Sequence, residues 1–342
     1  VPTGMKLGVS TAPWGVWKRP QRARLPPQRA LIVKRNGSSL AEPPGDPPPT
    51  GETLMGSYRS SADARPRPPT APGWLGDLAG AWIFYSVLPA WPGIAPRFQR
   101  IARFAPLIGV VLGALQAVLW LVSAPWLPAG ALVALVMALA LVLSGGLHHD
   151  GALDTADGLA AGPRALEAMQ DSRVGAAAVQ AALLLALLRA AGLLCLAALP
   201  SGIGAAALLW GSFWGRVAPL LAMHRHPYLR QAPSAGGTAA FHRHHWRGLV
   251  PELLPALLVI LPLLAASAAL QAAAGRPLSA ASLVGVAALG LPPALLLPWW
   301  LGRRLGGHSG DSYGACVEWS EALTLLLTGL FWSLPTLGPA AG

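Results

Sequence analysis

Beyond residue 103 the chain alternates between long apolar runs and shorter polar stretches. Seven runs, at 104–123, 126–147, 175–199, 203–223, 250–270, 280–301 and 319–338, each hold the roughly 20 mainly apolar residues that carry a helix across a bilayer. The period-two alternation of a barrel strand is absent, so the backbone polar groups must be satisfied within helices. The pattern predicts an all-α fold: a polytopic helical membrane protein of about seven transmembrane helices. A short interfacial or re-entrant segment is expected at 74–91, where an aromatic run is broken by Asp77 and Pro89. Residues 1–72 carry neither periodicity nor a long apolar run and are rich in Pro, Arg, Gly and Ser, as in EPPGDPPPTG at 42–51. They read as a disordered, low-complexity N-terminal extension without a signal-peptide apolar core, ahead of a membrane-embedded domain at 73–342. A chain opening on Val1 reads as an alternative start codon translated literally, or as a start placed too early.

Composition sharpens this picture. The chain is 54% hydrophobic and 11% charged, where soluble domains carry about 25% charged residues. Its net charge of +11 would point to nucleic acid in a soluble protein. Here the cations sort by loop instead. Threading the runs alternately across a bilayer gathers Arg97, Arg100, Arg103, Arg164, Arg173, Arg225, Arg230, Arg243, Arg247, Arg303 and Arg304 on one side and leaves Arg276 alone on the other. The positive-inside rule makes the populated side cytoplasmic. A multi-pass protein of the cell (inner or plasma) membrane follows, with the lipid bilayer rather than nucleic acid as partner. Cys195 and Cys316 suggest neither a disulfide framework nor a zinc site.

One polar island breaks the apolar pattern. Asp150, Asp154, Asp157, Glu167 and Asp171 fall between two spans, in a chain with only fourteen acidic residues. Carboxylates beside a membrane need a partner. Asp150, Asp154 and Asp157 are spaced i, i+4, i+7, one helical face on which like charges repel unless a cation sits among them. Gly162-Pro163 should end that helix, so Asp171 is expected from a second short helix. Hard carboxylate oxygens of this kind suit Mg²⁺ shared with substrate phosphates, and Arg173, beside Asp171, suits a clamp on phosphate oxygens. Glu167 is left out of this set. Around His148 and His149 stand Gly145, Gly146 and Gly151, which either allow close backbone approach to a ligand or serve helix packing. The histidines either touch substrate or sit at the interface. Arg189 and Arg216 lie within apolar runs and are expected to face the bundle interior, with Asp77 or the acidic island as partner. A second glycine-rich polar stretch, GGHSGDSYGA at 306–315, carries Asp311 and is followed by Glu318 and Glu321; threading brings it to the same face as the first. The loop 224–247 carries His224, His226, His242, His244 and His245, which suit a metal or, with its arginines, an anionic lipid or nucleotide.

Several of these stretches, in this order, resemble the cobalamin synthase family (adenosylcobinamide-GDP ribazoletransferase). They are RFAPLIGVVLG (103–113), GGLHHDGALDTADGL (145–159), RALEAMQDSRVGA (164–176), GRVAPLLAMHRHPYLR (215–230) and LGGHSGDSYGACVEWSE (305–321). The resemblance covers about 74–338. His149 stands where Leu is usual, Ala152-Leu153 reverses the usual order, Arg189 replaces a common Lys, and Gly215 a frequent Ser. The resemblance implies that adenosylcobinamide-GDP is joined to α-ribazole or its 5′-phosphate with release of GMP. A ribose hydroxyl would attack the phosphate on the cobinamide arm. It assigns Mg²⁺ to Asp150, Asp154, Asp157 and Asp171, and a phosphate clamp to Arg173. Substrate binding then falls to Gly145, Gly146, His148, Arg189, Arg216, Asp311, Glu318 and Glu321. A homo-oligomer, or association with other cobalamin-pathway enzymes, is compatible with it. Two alternatives share some of these features. A CDP-alcohol phosphotransferase making phospholipid uses Asp and Mg²⁺ similarly, but its Asp-Gly-x-x-Ala-Arg pattern fails here at Ala161-Gly162. A transporter would use Arg189 and Arg216 as an anion path, but predicts acids deep within the spans.

Overall fold

The structure is a computed structural model that describes residues 72–229, 244–273 and 279–334. The expected N-terminal extension, Arg230, His242, Arg243 and Arg276 lie outside the described residues.

Among those residues the chain is helical, with a single isolated bridge between Tyr228 and His308. The aromatic segment forms a short helix, α1 (Gly73–Tyr85), of 13 residues. At about 20 Å it is too short to cross a bilayer. Its Asp77 is buried and paired with Arg97 at 2.9 Å, which removes the charge that broke the apolar run. A 3₁₀ turn (Ala102–Phe104) then feeds α2 (Ala105–Ser123) through Pro106, tolerated in the first turn where no N–H is needed.

α3 (Ala129–Ser144) ends on Gly145 and Gly146, both in the left-handed region at φ 62° and 69°, a conformation only glycine adopts freely. Gly145 and Gly146 donate their N–H groups back to Val142 and Leu141, closing the helix end. The next helix, α4 (Leu147–Ala161), leaves at 92° to α3. The expected span 126–147 is therefore a helix of 16 residues followed by a sharp corner, and the acidic island begins on a new axis. Gly162-Pro163 ends α4 as expected, in a 3₁₀ turn (Gly162–Arg164) that runs into a single helical turn, α5 (Ala165–Ala168).

The bundle centre is built by α6 (Ala176–Ala197), α7 (Ser201–Arg225) and the final helix. α8 (Leu249–Ala273), α9 (Ala280–Ala288) and α10 (Leu291–Leu305) follow α7, and α11 (Gly310–Ser333) closes the chain. Apolar area provides little drive inside lipid, so close packing and hydrogen bonds hold such helices together. Gly192 on α6 and Gly329 on α11 meet backbone to backbone: a Cβ on either would stand 2.6 Å from the other helix's main chain. Trp210 on α7 donates to Ser267 Oγ on α8 at 3.0 Å, and Trp214 to the Ala287 carbonyl on α9 at 2.7 Å.

Among the described residues five stretches are long and apolar enough to cross a membrane, and the bent α3–α4 pair, counted as one span, would make six. Residues 319–333 of the seventh expected run, 319–338, are the C-terminal part of α11, and 335–338 lie outside the described residues. The 24 residues of α11 are long enough, but Asp311, Glu318 and Glu321 lower its apolarity. It tolerates them because α4, α6 and α7 surround it.

Candidate active site

The two glycine-acid stretches meet. The first turn of α11 crosses the first turn of α4 with almost no side chain between them. A Cβ on Gly151 would stand 2.7 Å from the Asp311 carbonyl, and one on Gly314 would stand 2.9 Å from that of His148. The start of α11 is fixed by a reciprocal cap in which Ser309 Oγ accepts from Ser312 N at 3.3 Å and Ser312 Oγ from Ser309 N at 2.8 Å. The Asp311 main chain therefore packs on Gly151, which Asp150 and Asp154 flank in sequence by one residue and three. Asp150 is exposed and Asp154 half-buried.

The other two aspartates have different surroundings. Asp157 accepts N–H hydrogen bonds from Gly175 at 2.8 Å and Ala178 at 2.9 Å, so its carboxylate caps α6. Asp171 lies beyond α5 in a loop and accepts from the backbone and guanidinium of Arg173, at 2.6 Å for Nη2. That side-chain hydrogen bond, with the backbone one, holds the Asp171 carboxyl down at about 2. The Arg173 side chain is 88% exposed. Among the described residues no three His, Cys, Asp or Glu side chains converge as metal ligands would. Asp150 and Asp154 stand one helical turn apart on α4.

Behind this face runs a buried chain of ions. Arg216 on α7 pairs with Glu321 on α11, and Arg189 on α6 reaches Glu321 at 2.8 Å and Glu318 at 3.2 Å. Glu318 Oε2 in turn lies 3.5 Å from His149 Nδ1 on α4. The two intramembrane arginines thus face the interior as expected, but their partners are Glu318 and Glu321. Asp77 belongs to Arg97, and a further pair, Arg100–Glu252 at 2.6 Å, joins the start of α2 to α8. His148 is buried and stacked on Tyr85 at 5.9 Å between ring centroids, with Nδ1 finding no hydrogen-bond partner among the described residues. Gly145 and Gly146 form the α3–α4 corner immediately before it. Nothing in the sequence pointed to Tyr85. Glu252 was visible as an acid at the edge of an apolar run.

The chain matches the cobalamin-5-phosphate synthase family over residues 77–329. That range runs from Asp77 on α1 to Gly329 on α11 and includes every side chain placed above. The chain belongs to this family. An adenosylcobinamide-GDP ribazoletransferase of Prochlorococcus marinus (strain MIT 9313) is 56% identical over 260 residues, which cover 75% of this chain and 96% of that protein. The protein of the same name from Thermosynechococcus vestitus is 39% identical over 261 residues, covering 74% and 94%. No solved structure matches the chain. Family membership favours the cobalamin synthase reading over the phospholipid-synthase and transporter alternatives.

Proposed function

We propose that this chain is an adenosylcobinamide-GDP ribazoletransferase acting at the cytoplasmic face of the cell membrane. It joins adenosylcobinamide-GDP to α-ribazole or its 5′-phosphate and releases GMP. The observation that carries the reading is the 56% identity to a protein of that name across nearly its whole length. The crossing of α4 and α11 supports it, because it brings the main chain of Asp311 against Gly151, between Asp150 and Asp154 in sequence.

Mg²⁺ fits the donor set there. Asp150 and Asp154 offer hard oxygens one helical turn apart, and Mg²⁺ is typically held by one or two carboxylates plus substrate phosphates. When bound, it neutralises the diphosphate and favours departure of GMP. The chain's own groups do the rest. Asp157 fixes the start of α6 against α4, so it positions the other acids. Asp171 holds the exposed Arg173 guanidinium, whose planar fork suits phosphate oxygens. The attacking ribose hydroxyl gives its proton to a carboxylate of this set that the cation leaves free. The buried chain from Arg216 to His149 keeps α4, α6, α7 and α11 in register behind the site.

The test uses the full chain reconstituted in lipid with Mg²⁺, adenosylcobinamide-GDP and α-ribazole 5′-phosphate. GMP release matched by a new corrinoid of the expected mass supports the reading, and absence of corrinoid product defeats it. Size analysis of the same preparation tests the homo-oligomer.

A further inference from the structure

Six described arginines stand outside the ion pairs above, and three of them, Arg164, Arg303 and Arg304, line one cleft. Arg164 follows α4 in the 3₁₀ turn, and Arg303 and Arg304 form the last turn of α10. With Glu167 they line a cleft of ≈ 680 Å³. Arg97, Arg100, Arg173, Arg189 and Arg216 all have carboxylate partners. Among the described residues none of the cleft arginines has one, although Glu167 shares the cleft. Uncompensated cations lining a concave surface favour an anion. Two of them are also held in place: Arg303 lies over the Trp299 ring at 5.2 Å, and Arg304 over Trp300 at 6.0 Å.

The cleft adjoins the carboxylate face. Its two walls are tied where Ser309 Oγ donates to Met169 Sδ at 3.7 Å, and Met169 packs on Gly158 of α4. Ser309 is the cap of α11, two residues before Asp311. Along α4, Gly162 at the cleft lies eight residues beyond Asp154, about 12 Å of helix. That is a distance a nucleoside diphosphate spans.

We propose that this cleft binds the guanosine phosphate end of the diphosphate substrate and retains it as the leaving group. The inference rests on the ribazoletransferase reading and assigns the half of the substrate that the α4 acids do not reach. The ribose hydroxyl oxygen bonds to the phosphorus on the cobinamide arm, its proton passes to a carboxylate, and the P–O bond to GMP breaks. GMP departs with that electron pair, as an anion facing three guanidinium groups and open solvent. Arginine and tryptophan at the end of a span also suit a lipid phosphate. Arg164 argues for the nucleotide, because it belongs to no span and approaches from the opposite wall.

The experiment places the full chain in nanodiscs of uncharged phosphatidylcholine, measures GDP binding directly, and measures KM for both substrates. The variants are Arg164→Gln, Arg303→Gln and the double substitution, at exposed positions where folding is checked by thermal unfolding. GDP should bind the unsubstituted chain in neutral lipid. Each substitution should weaken it roughly tenfold, the scale of one charge-assisted hydrogen bond. KM for adenosylcobinamide-GDP should rise while that for the ribazole stays level. Unchanged GDP affinity overturns the proposal, as does an effect seen only as altered dependence on anionic lipid. Turnover with normal KM in the variants removes the cleft and keeps the reaction. Arginine-dependent GDP binding without corrinoid product removes the reaction and keeps a nucleotide site.

Discussion

At the scale of single residues, the aspartates of the polar island separate by environment. Asp154, facing α11, should be needed for chemistry: Asp154→Ala is expected to lower GMP release on the order of a hundredfold, the usual loss when one group stabilising developing charge is removed. A Mg²⁺ titration should show whether excess metal restores any of it. Asp157 should behave as a cap. Asp157→Ser keeps an N–H acceptor at the start of α6 and should preserve both stability and turnover, whereas Asp157→Ala should cost about 1 kcal/mol. Loss of turnover in the serine variant would return Asp157 to the metal. The i, i+4, i+7 spacing made one helical face legible, and α4 carries all three acids as that spacing requires. The turning of Asp157 toward Gly175, 18 residues away, was not legible, because the return of the chain after α5 decides it. His308 carries a pH signature. It is fully buried, bonded through Nε2 to the Pro298 carbonyl at 3.0 Å and through Nδ1 to Ser312 at 3.0 Å. Burial pushes it down to about 4, although the Pro298 carbonyl pulls the other way, and His226 is lowered too, chiefly by its own burial. The folded state thus holds fewer protons than the unfolded chain between about 6.5 and about 4, so stability must fall as pH falls through that window. Thermal unfolding in detergent should show this slope, and His308→Gln should flatten it.

At the scale of elements, function depends on how closely α4 and α11 approach. Glycine at 151 and 314 removes the side chains that would part them, and each has main chain where a methyl would go. Gly151→Ala should therefore push Asp311 away from Asp150 and Asp154, costing about 1–3 kcal/mol of stability and a larger share of activity. A variant with wild-type turnover would show that the two helices need not meet this closely. Gly151 reads in sequence as a ligand contact or as a packing residue, and the crossing shows it packing on Asp311. The buried ions behind them follow the other rule for such interiors: removing one partner leaves a charge stranded. Glu321→Ala strands Arg216, while Arg189 keeps Glu318, and should cost about 3–5 kcal/mol. Glu321→Ala combined with Arg216→Met should recover part of the loss, read as the detergent midpoint of unfolding. The spans themselves were legible because lipid imposes length and apolarity. The corner at Gly145-Gly146 was not, since an apolar run continues into it from α3 and composition does not record a change of axis.

At the scale of the whole molecule, one ion pair fixes how the chain crosses the membrane. Arg100, just before α2, lies 2.6 Å from Glu252 in the first turn of α8. Between them run α2, the bent α3–α4 pair, α6 and α7. Four crossings return the chain to the face it left; three would put Arg100 and Glu252 on opposite faces, about 30 Å of hydrocarbon apart. The α3–α4 pair therefore crosses, and the loops before α2, around α4–α5, after α7 and after α10 share one face. That is the face that carries the arginine-rich loops. α11 then begins on it at Gly310 and, at about 36 Å, reaches the other side through the centre of the bundle. Four single-cysteine proteins test this path, made after replacing buried Cys316 and half-buried Cys195. Phe98→Cys and Gln170→Cys should react with a membrane-impermeant maleimide only in inverted vesicles. Trp126→Cys and Leu334→Cys should react only in right-side-out ones, all four being exposed positions. Labelling of 98 and 170 from opposite faces would mean that α3 and α4 turn back without crossing. The Arg100–Glu252 pair could then not form, and the crossing of α4 and α11 would lie on the far side from the chain's N-terminal arginines.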